Sequence, residues 1–150
     1  MDKIDKKILR ILQHEGRITS KAISERVGLS NPAVLERIRK MESVGIIEGY
    51  KAIINHKKIG KSGKAILSIT FDRKYVDTLE EIKESIINCG FVESYYFTTG
   101  KYDFILSVSF EDIEDLEDIL MRRLPVVIPF IKNIETFVVL SGEENLGYDI

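Results

Sequence analysis

A single cysteine, Cys89, leaves no route to an intrachain disulfide. The only histidines are His14 and His56, too few beside one thiol to build a structural zinc site. No apolar run approaches the ~20 residues that span a bilayer. The opening MDKIDKKILR lacks the apolar stretch of a signal peptide. There is no nucleophile–base–orienter set, no glycine-rich phosphate loop, no internal repeat and no low-complexity segment. The expectation is a soluble cytoplasmic protein with no catalytic residues, no metal and no cofactor. Cys89, at the end of a helical pattern, reads as a packed small side chain rather than a reactive thiol.

The charge is unevenly placed. Residues 1–64 carry 15 Lys+Arg against 7 Asp+Glu, a net of +8. Residues 65–150 carry 7 against 17, a net of -10. A basic first part joined to an acidic second part points to a polyanion-binding module coupled to something else. The 150 residues allow one domain or two small ones.

The first part has helical period. Ile4, Ile8, Ile11 and Leu12 share one face, Leu9 widens it, and Gly16 ends the helix. Thr19 caps a short second helix carrying Ala22, Ile23 and Val27, closed by Gly28. Ser30 caps a third, with Pro32 in its first turn, where a missing N–H costs little. Val34, Ile38 and Met41 form its buried stripe, and Gly45 stops it. Only Gly28-Leu29-Ser30 separates the second and third helices, which is helix-turn-helix spacing. GIIEGYKAIIN then reads as a strand, and KKIGKSGK as a linker.

From Ala65 the period changes. Ala65, Leu67, Ile69 and Phe71 alternate as a strand, and Val76, Leu79, Ile82 and Ile86 take helical spacing up to Asn88 and Gly90. FVESYYFTT and DFILSVSF read as strands joined at a Gly100-Lys101 turn. IEDLEDILMRRL is an amphipathic helix whose exit is bracketed by Pro125 and Pro129, and IKNIETFVVL is a last strand. The fold class is α+β: a winged-helix-like helix-turn-helix domain over 1–50, a strand and linker over 51–64, and a ferredoxin-like βαββαβ domain over 65–150. The cluster Tyr95, Tyr96 and Phe97 reads as strand packing at an interface.

With Val34, Ile38 and Met41 inward, the third helix turns Asn31, Glu36, Arg37, Arg39 and Lys40 outward. Its first turn, Ser30-Asn31-Pro32-Ala33, would lead into a DNA groove. Arg bonds guanine, Asn bonds adenine, and small apolar groups touch the thymine methyl. Lys and Arg further along meet phosphates, which position the protein without reading sequence. Lys21, Arg26 and Lys51 are further phosphate candidates, each equally well explained by solvation. Glu36 is expected to pair with Lys40 at i+4 rather than face phosphate.

These residues resemble the Lrp/AsnC (feast/famine) family of transcription regulators. The resemblance rests on Ile4-Asp5, Ile8-Leu9, Val27-Gly28-Leu29-Ser30, Glu36-Arg37-Ile38-Arg39 and Gly45-Ile46-Ile47-Glu48-Gly49-Tyr50 in the first half. In the second half it rests on TTGKYDFIL, similar to the family's effector-domain loop and strand. It covers about residues 1–140; the acidic tail SGEENLGYDI departs from the family's ending.

The resemblance implies a homodimer, assembling to a tetramer or octamer, that binds near-palindromic double-stranded DNA and senses a small molecule such as an amino acid. It places the effector at Thr98, Thr99, Gly100, Lys101, Tyr102 and Asp103. Gly100 would let backbone N–H groups approach a carboxylate. Asp103 would hold an ammonium, and Tyr102 would line the pocket. A hairpin turn capped by Asp103 explains the same residues without a ligand. One alternative function is a sirohaem decarboxylase of AsnC-like fold. Such an enzyme would want cationic and protonatable groups in the second part, which holds seven Lys+Arg and, in this division of the chain, no histidine.

Overall fold

Asp2 starts the chain's first helix. Its carboxylate accepts from the backbone N–H groups of Ile4 and Asp5 at 2.8 Å, and the Asp5 carboxylate accepts in return from the Asp2 N–H at 2.8 Å. This reciprocal box satisfies donors that a helix start otherwise leaves open. It opens α1 (Lys3–His14). Thr19 caps α2 (Ser20–Val27) and Ser30 caps α3 (Asn31–Ser43), each accepting from the N–H three residues on. Between α2 and α3, Gly28 takes φ +73°, a left-handed conformation that glycine adopts without a Cβ penalty. Ile8, Leu9, Ile23, Val34 and Met41 are buried together where the three helices meet.

The structure is a computed structural model that describes residues 1–143, Gly147 and Ile150. The Val76 side chain, expected in a helical stripe, lies outside the described residues. The chain forms two units, one of residues 1–53 with 143–150 and one of residues 54–142.

In the second unit a 3₁₀ turn (His56–Ile59) leads to β1 (Gly63–Phe71). Another 3₁₀ turn (Arg73–Thr78) enters α4 (Leu79–Asn88). Then come β2 (Val92–Phe97), β3 (Phe104–Phe110), α5 (Ile113–Asp118), a π-helical segment (Ile119–Arg123), α6 (Leu124–Val127) and β4 (Ile131–Val138). The sheet is antiparallel in the order β2-β3-β1-β4, the ferredoxin-like arrangement. Period-2 alternation sends Leu67, Ile69, Phe104 and Leu106 to one face, where they pack with Ile82, Ile86, Leu116 and Ile119 from the helices. Each such side chain contributes about 1.5–3 kcal/mol by burial. At the near end of β1, a Cβ on Gly63 would stand 2.1 Å from the Phe110 ring, so this position admits glycine alone without repacking.

Three expectations need correction. The segment 45–55 forms no strand in the described chain. A strand needs a hydrogen-bonded neighbour, and no described strand pairs with this segment. Residues 143–150, assigned from sequence to the sheet domain, group with the helices. The reason is local: Ile150 packs against the helical core. His56, read as part of the basic first half, belongs to the sheet unit, where its Nδ1 lies 2.8 Å from Glu93. The sheet unit therefore contains a histidine, paired with a carboxylate.

Candidate nucleic-acid interface and ligand loop

Capping and burial set which way α3 faces. Val34 and Met41 are buried and Ile38 is half-buried, so Asn31, Pro32, Glu36, Arg39 and Lys40 are exposed, with Ser30 at the cap and Ala33 half-exposed. Lys21 on α2 is exposed as well. Among the described residues Lys21, Arg39 and Lys40 enter no ion pair, so their charge faces outward uncompensated. The expected Glu36–Lys40 pair is absent: the two side chains do not meet.

Arg37 is placed differently from its neighbours. Its guanidinium nitrogen lies 2.6 Å from an Asp2 oxygen and 2.6 Å from an Asp5 oxygen, joining α3 to the start of α1. The hydrogen bond from the Asp5 N–H, then the one from Arg37, hold the Asp2 carboxyl down at about 2. Arg37 thus sets the angle of α3 rather than standing free on its outer face. The signal was in the sequence: Asp2 and Asp5 have the spacing of a capping box, which brings two carboxylates to one helix start. Arg26 is also engaged, with Glu15.

Counted by structural unit, the charge split is shallower than by sequence halves. The helical unit, residues 1–53 with 143–150, holds 11 Lys+Arg and 10 Asp+Glu, a net of +1, because Lys57, Lys58, Lys61 and Lys64 lie in the sheet unit and the acidic tail groups with the helices. Two of those lysines are neutralised there: Lys61 by Glu111 and Asp115, and Lys64 by Glu93. Burial works to raise the Glu93 pKa, but the Lys64 ammonium and the Ser109 hydroxyl outweigh it and the net shift is downward.

The loop Thr98–Asp103 joins β2 to β3 and is six residues long, not a two-residue turn. Thr98 N–H donates to the Asp103 carbonyl at 2.9 Å, and Thr98 Oγ1 to the Tyr102 carbonyl at 2.5 Å. Thr99, Gly100 and Lys101 are exposed at the tip, and a Cβ at Gly100 would meet nothing within 4 Å. Open space therefore adjoins the backbone there. Tyr102 donates its hydroxyl to Glu135, and the Lys101 ammonium lies 4.9 Å from the Tyr102 ring centroid.

Asp103 is turned inward and 4% exposed. One carboxylate oxygen accepts from the Phe71 N–H at 3.1 Å, and the other from Arg73 Nε at 3.1 Å and Nη2 at 2.8 Å. The structure gives this carboxylate a different task from the one expected of it: it binds the end of β1 to the loop. Arg73 was not singled out from sequence. It stands beside Lys74 ahead of a helix, and nothing local marks its partner thirty residues away.

Comparison with known proteins agrees with this two-part reading. Residues 1–48 match a winged helix-turn-helix DNA-binding model, and residues 64–144 match the Lrp/AsnC ligand-binding domain. The leucine-responsive regulatory protein of Escherichia coli is 31% identical over 141 residues, covering 94% of this chain and 85% of that one. A transcriptional regulator of Neisseria meningitidis, solved with L-methionine, superposes with a TM-score of 0.88 at 27% identity, covering 98% of this chain and 96% of that one. A feast or famine regulatory protein of M. tuberculosis, also solved with L-methionine, gives 0.87 at 30% identity with 99% of both chains covered. Helix-turn-helix, ferredoxin-like sheet and both family matches converge: the chain belongs to the Lrp/AsnC family of DNA-binding transcription regulators, which are not enzymes.

Proposed function

We propose that this regulator reads a near-palindromic operator as a homodimer and changes its assembly or DNA affinity when an amino acid binds at the β2–β3 loop. One observation carries the DNA half of this reading. The face of α3 opposite Val34 and Met41 is exposed, and its cations Arg39 and Lys40 enter no ion pair among the described residues. Asn31 and Ala33 in the first turn of α3 are the base-reading candidates, with Lys21, Ser30, Arg39 and Lys40 as phosphate contacts. Arg37 serves this interface by holding the helix. A two-fold dimer would set two such helices about one turn of DNA apart, or a multiple of it. Its second copy would cover the open sheet face, where Tyr96 and Phe137 are exposed, and would give the 45–55 segment, with exposed Ile46, Ile53 and Ile54, a pairing partner. A dimer or higher oligomer on analytical ultracentrifugation is the expected result.

The methionine complexes of two relatives support an amino acid as effector. In this chain the ligand carboxylate would meet exposed backbone N–H groups at Thr99–Lys101, and Asp103 would act by holding the loop. The regulator would work in the cytoplasm, where its DNA is. A salt titration of binding to a pool of genomic fragments, followed by sequencing of the bound fraction, tests the proposal. A linear fall of log affinity with log salt and an enriched near-palindrome are expected. Absence of binding at low salt overturns it.

A further inference from the structure

The helical unit carries a second surface besides α3. A groove of about 430 Å³ lies between Leu9 and Leu12 of α1 and Ile46, Ile47 and Tyr50, and Ile150 is among the residues that line it. Ile150 is half-buried and packs against the helical core. Arg10 Nη2 donates to its carbonyl oxygen at 2.6 Å. Gly147 passes so close to α1 that a Cβ there would lie 2.6 Å from His14 Cε1. Two separated tail residues thus meet the same helix, one through an apolar side chain and a hydrogen bond, the other through bare backbone. The family match ends at residue 144, before either contact.

We infer that Gly147 and Ile150 form an intrachain clasp on α1 of the DNA-binding unit, with Ile150 closing one wall of this groove. The chain leaves the helical unit after Ile53 and rejoins it at Glu143. Covalent connection gives the tail a high effective concentration, so a small contact is enough to keep it seated. The glycine at 147 matches the lack of room beside His14. The clasp covers apolar surface of α1 that would otherwise face water, and it attaches the DNA-binding unit at a second point along the chain.

Amide hydrogen exchange on the full chain tests the clasp without DNA or effector. Ile150→Asp, and separately deletion of residues 147–150, should speed exchange of Leu9–His14 roughly tenfold, since local opening then lacks the tail's burial. Exchange in β1 should stay as in the parent, and Ile150→Leu should behave as the parent. Parent-like exchange of Leu9–His14 in both the Ile150→Asp and deletion variants would overturn the inference. A parent protection that fades on dilution would assign the groove to the tail of a second copy and overturn the intrachain clasp; protection independent of concentration supports it.

Discussion

Replacing Asp103 by alanine should destabilise the sheet unit well before it affects any ligand. The carboxylate is 4% exposed and serves two partners of unequal kind. The Phe71 N–H, at 3.1 Å, is a buried backbone donor with nowhere else to turn. Leaving it unsatisfied costs about 1–3 kcal/mol. The Arg73 side chain is 71% exposed, so water replaces most of that attraction and its loss adds only about 0.5–1 kcal/mol. The total is about 1.5–4 kcal/mol. Asp103→Asn keeps an acceptor for Phe71 and gives up the charge, so it should cost about 1 kcal/mol. Arg73→Ala should fall in the same lower range. Urea unfolding followed by a sheet-unit probe measures all three, and a double-mutant cycle of Asp103 with Arg73 isolates the exposed pair. An Asp103→Ala protein within about 0.5 kcal/mol of the parent would refute the reasoning. It would return Asp103 to the role of a free ligand-binding carboxylate. The ordering also matters for effector experiments: a lost response in Asp103→Ala reports loop collapse unless Asp103→Asn loses it too.

Arg39→Ala should weaken DNA binding evenly across sequences and lower the salt slope by about one, read by fluorescence anisotropy at several salt concentrations; an unchanged slope removes Arg39 from the phosphate contacts. The Asp2 carboxyl, held down to about 2, stabilises the start of α1 fully above its ordinary value of 3.8, and that contribution is lost as pH falls through about 2. A carboxyl-detected NMR titration should find its midpoint near 2, and a midpoint near 3.8 would show the capping box open in solution. Gly63→Ala should cost about 1–3 kcal/mol in urea unfolding because the Phe110 ring has to move aside; a neutral result would mean that the ring has a second place to go.

The helices of the first unit were legible because every boundary has a chemical mark: Thr19 and Ser30 at starts, Gly28 and Gly45 at ends, apolar residues three and four apart between. The sheet order followed from the alternation of strands and helices. What escaped sequence reading was contact at long range. Arg37 looked like its neighbours Arg39 and Lys40 because periodicity separates faces but does not say which carboxylates α1 brings near. Asp103 looked like a ligand group because its partner, the Phe71 N–H, lies on another strand. The 45–55 segment has the composition of a strand, yet pairing depends on a neighbour that a single chain does not supply. The tail was opaque for the same reason: nothing in Gly147 or Ile150 names α1 as the surface they meet.

Arg37, Asp2 and Asp5 also bear on how this sequence is free to drift. Either carboxylate alone would be tolerated beside the guanidinium, but two without it repel each other at the helix start, and the guanidinium without them is left half-covered and unpaired. Substitutions at the three positions are therefore conditional on one another. A change at 37 that removes the cation becomes acceptable after one aspartate has gone, and harmful before. Among descendants of this chain, positions 2, 5 and 37 should change as a set, in an order that passes through the single-carboxylate state.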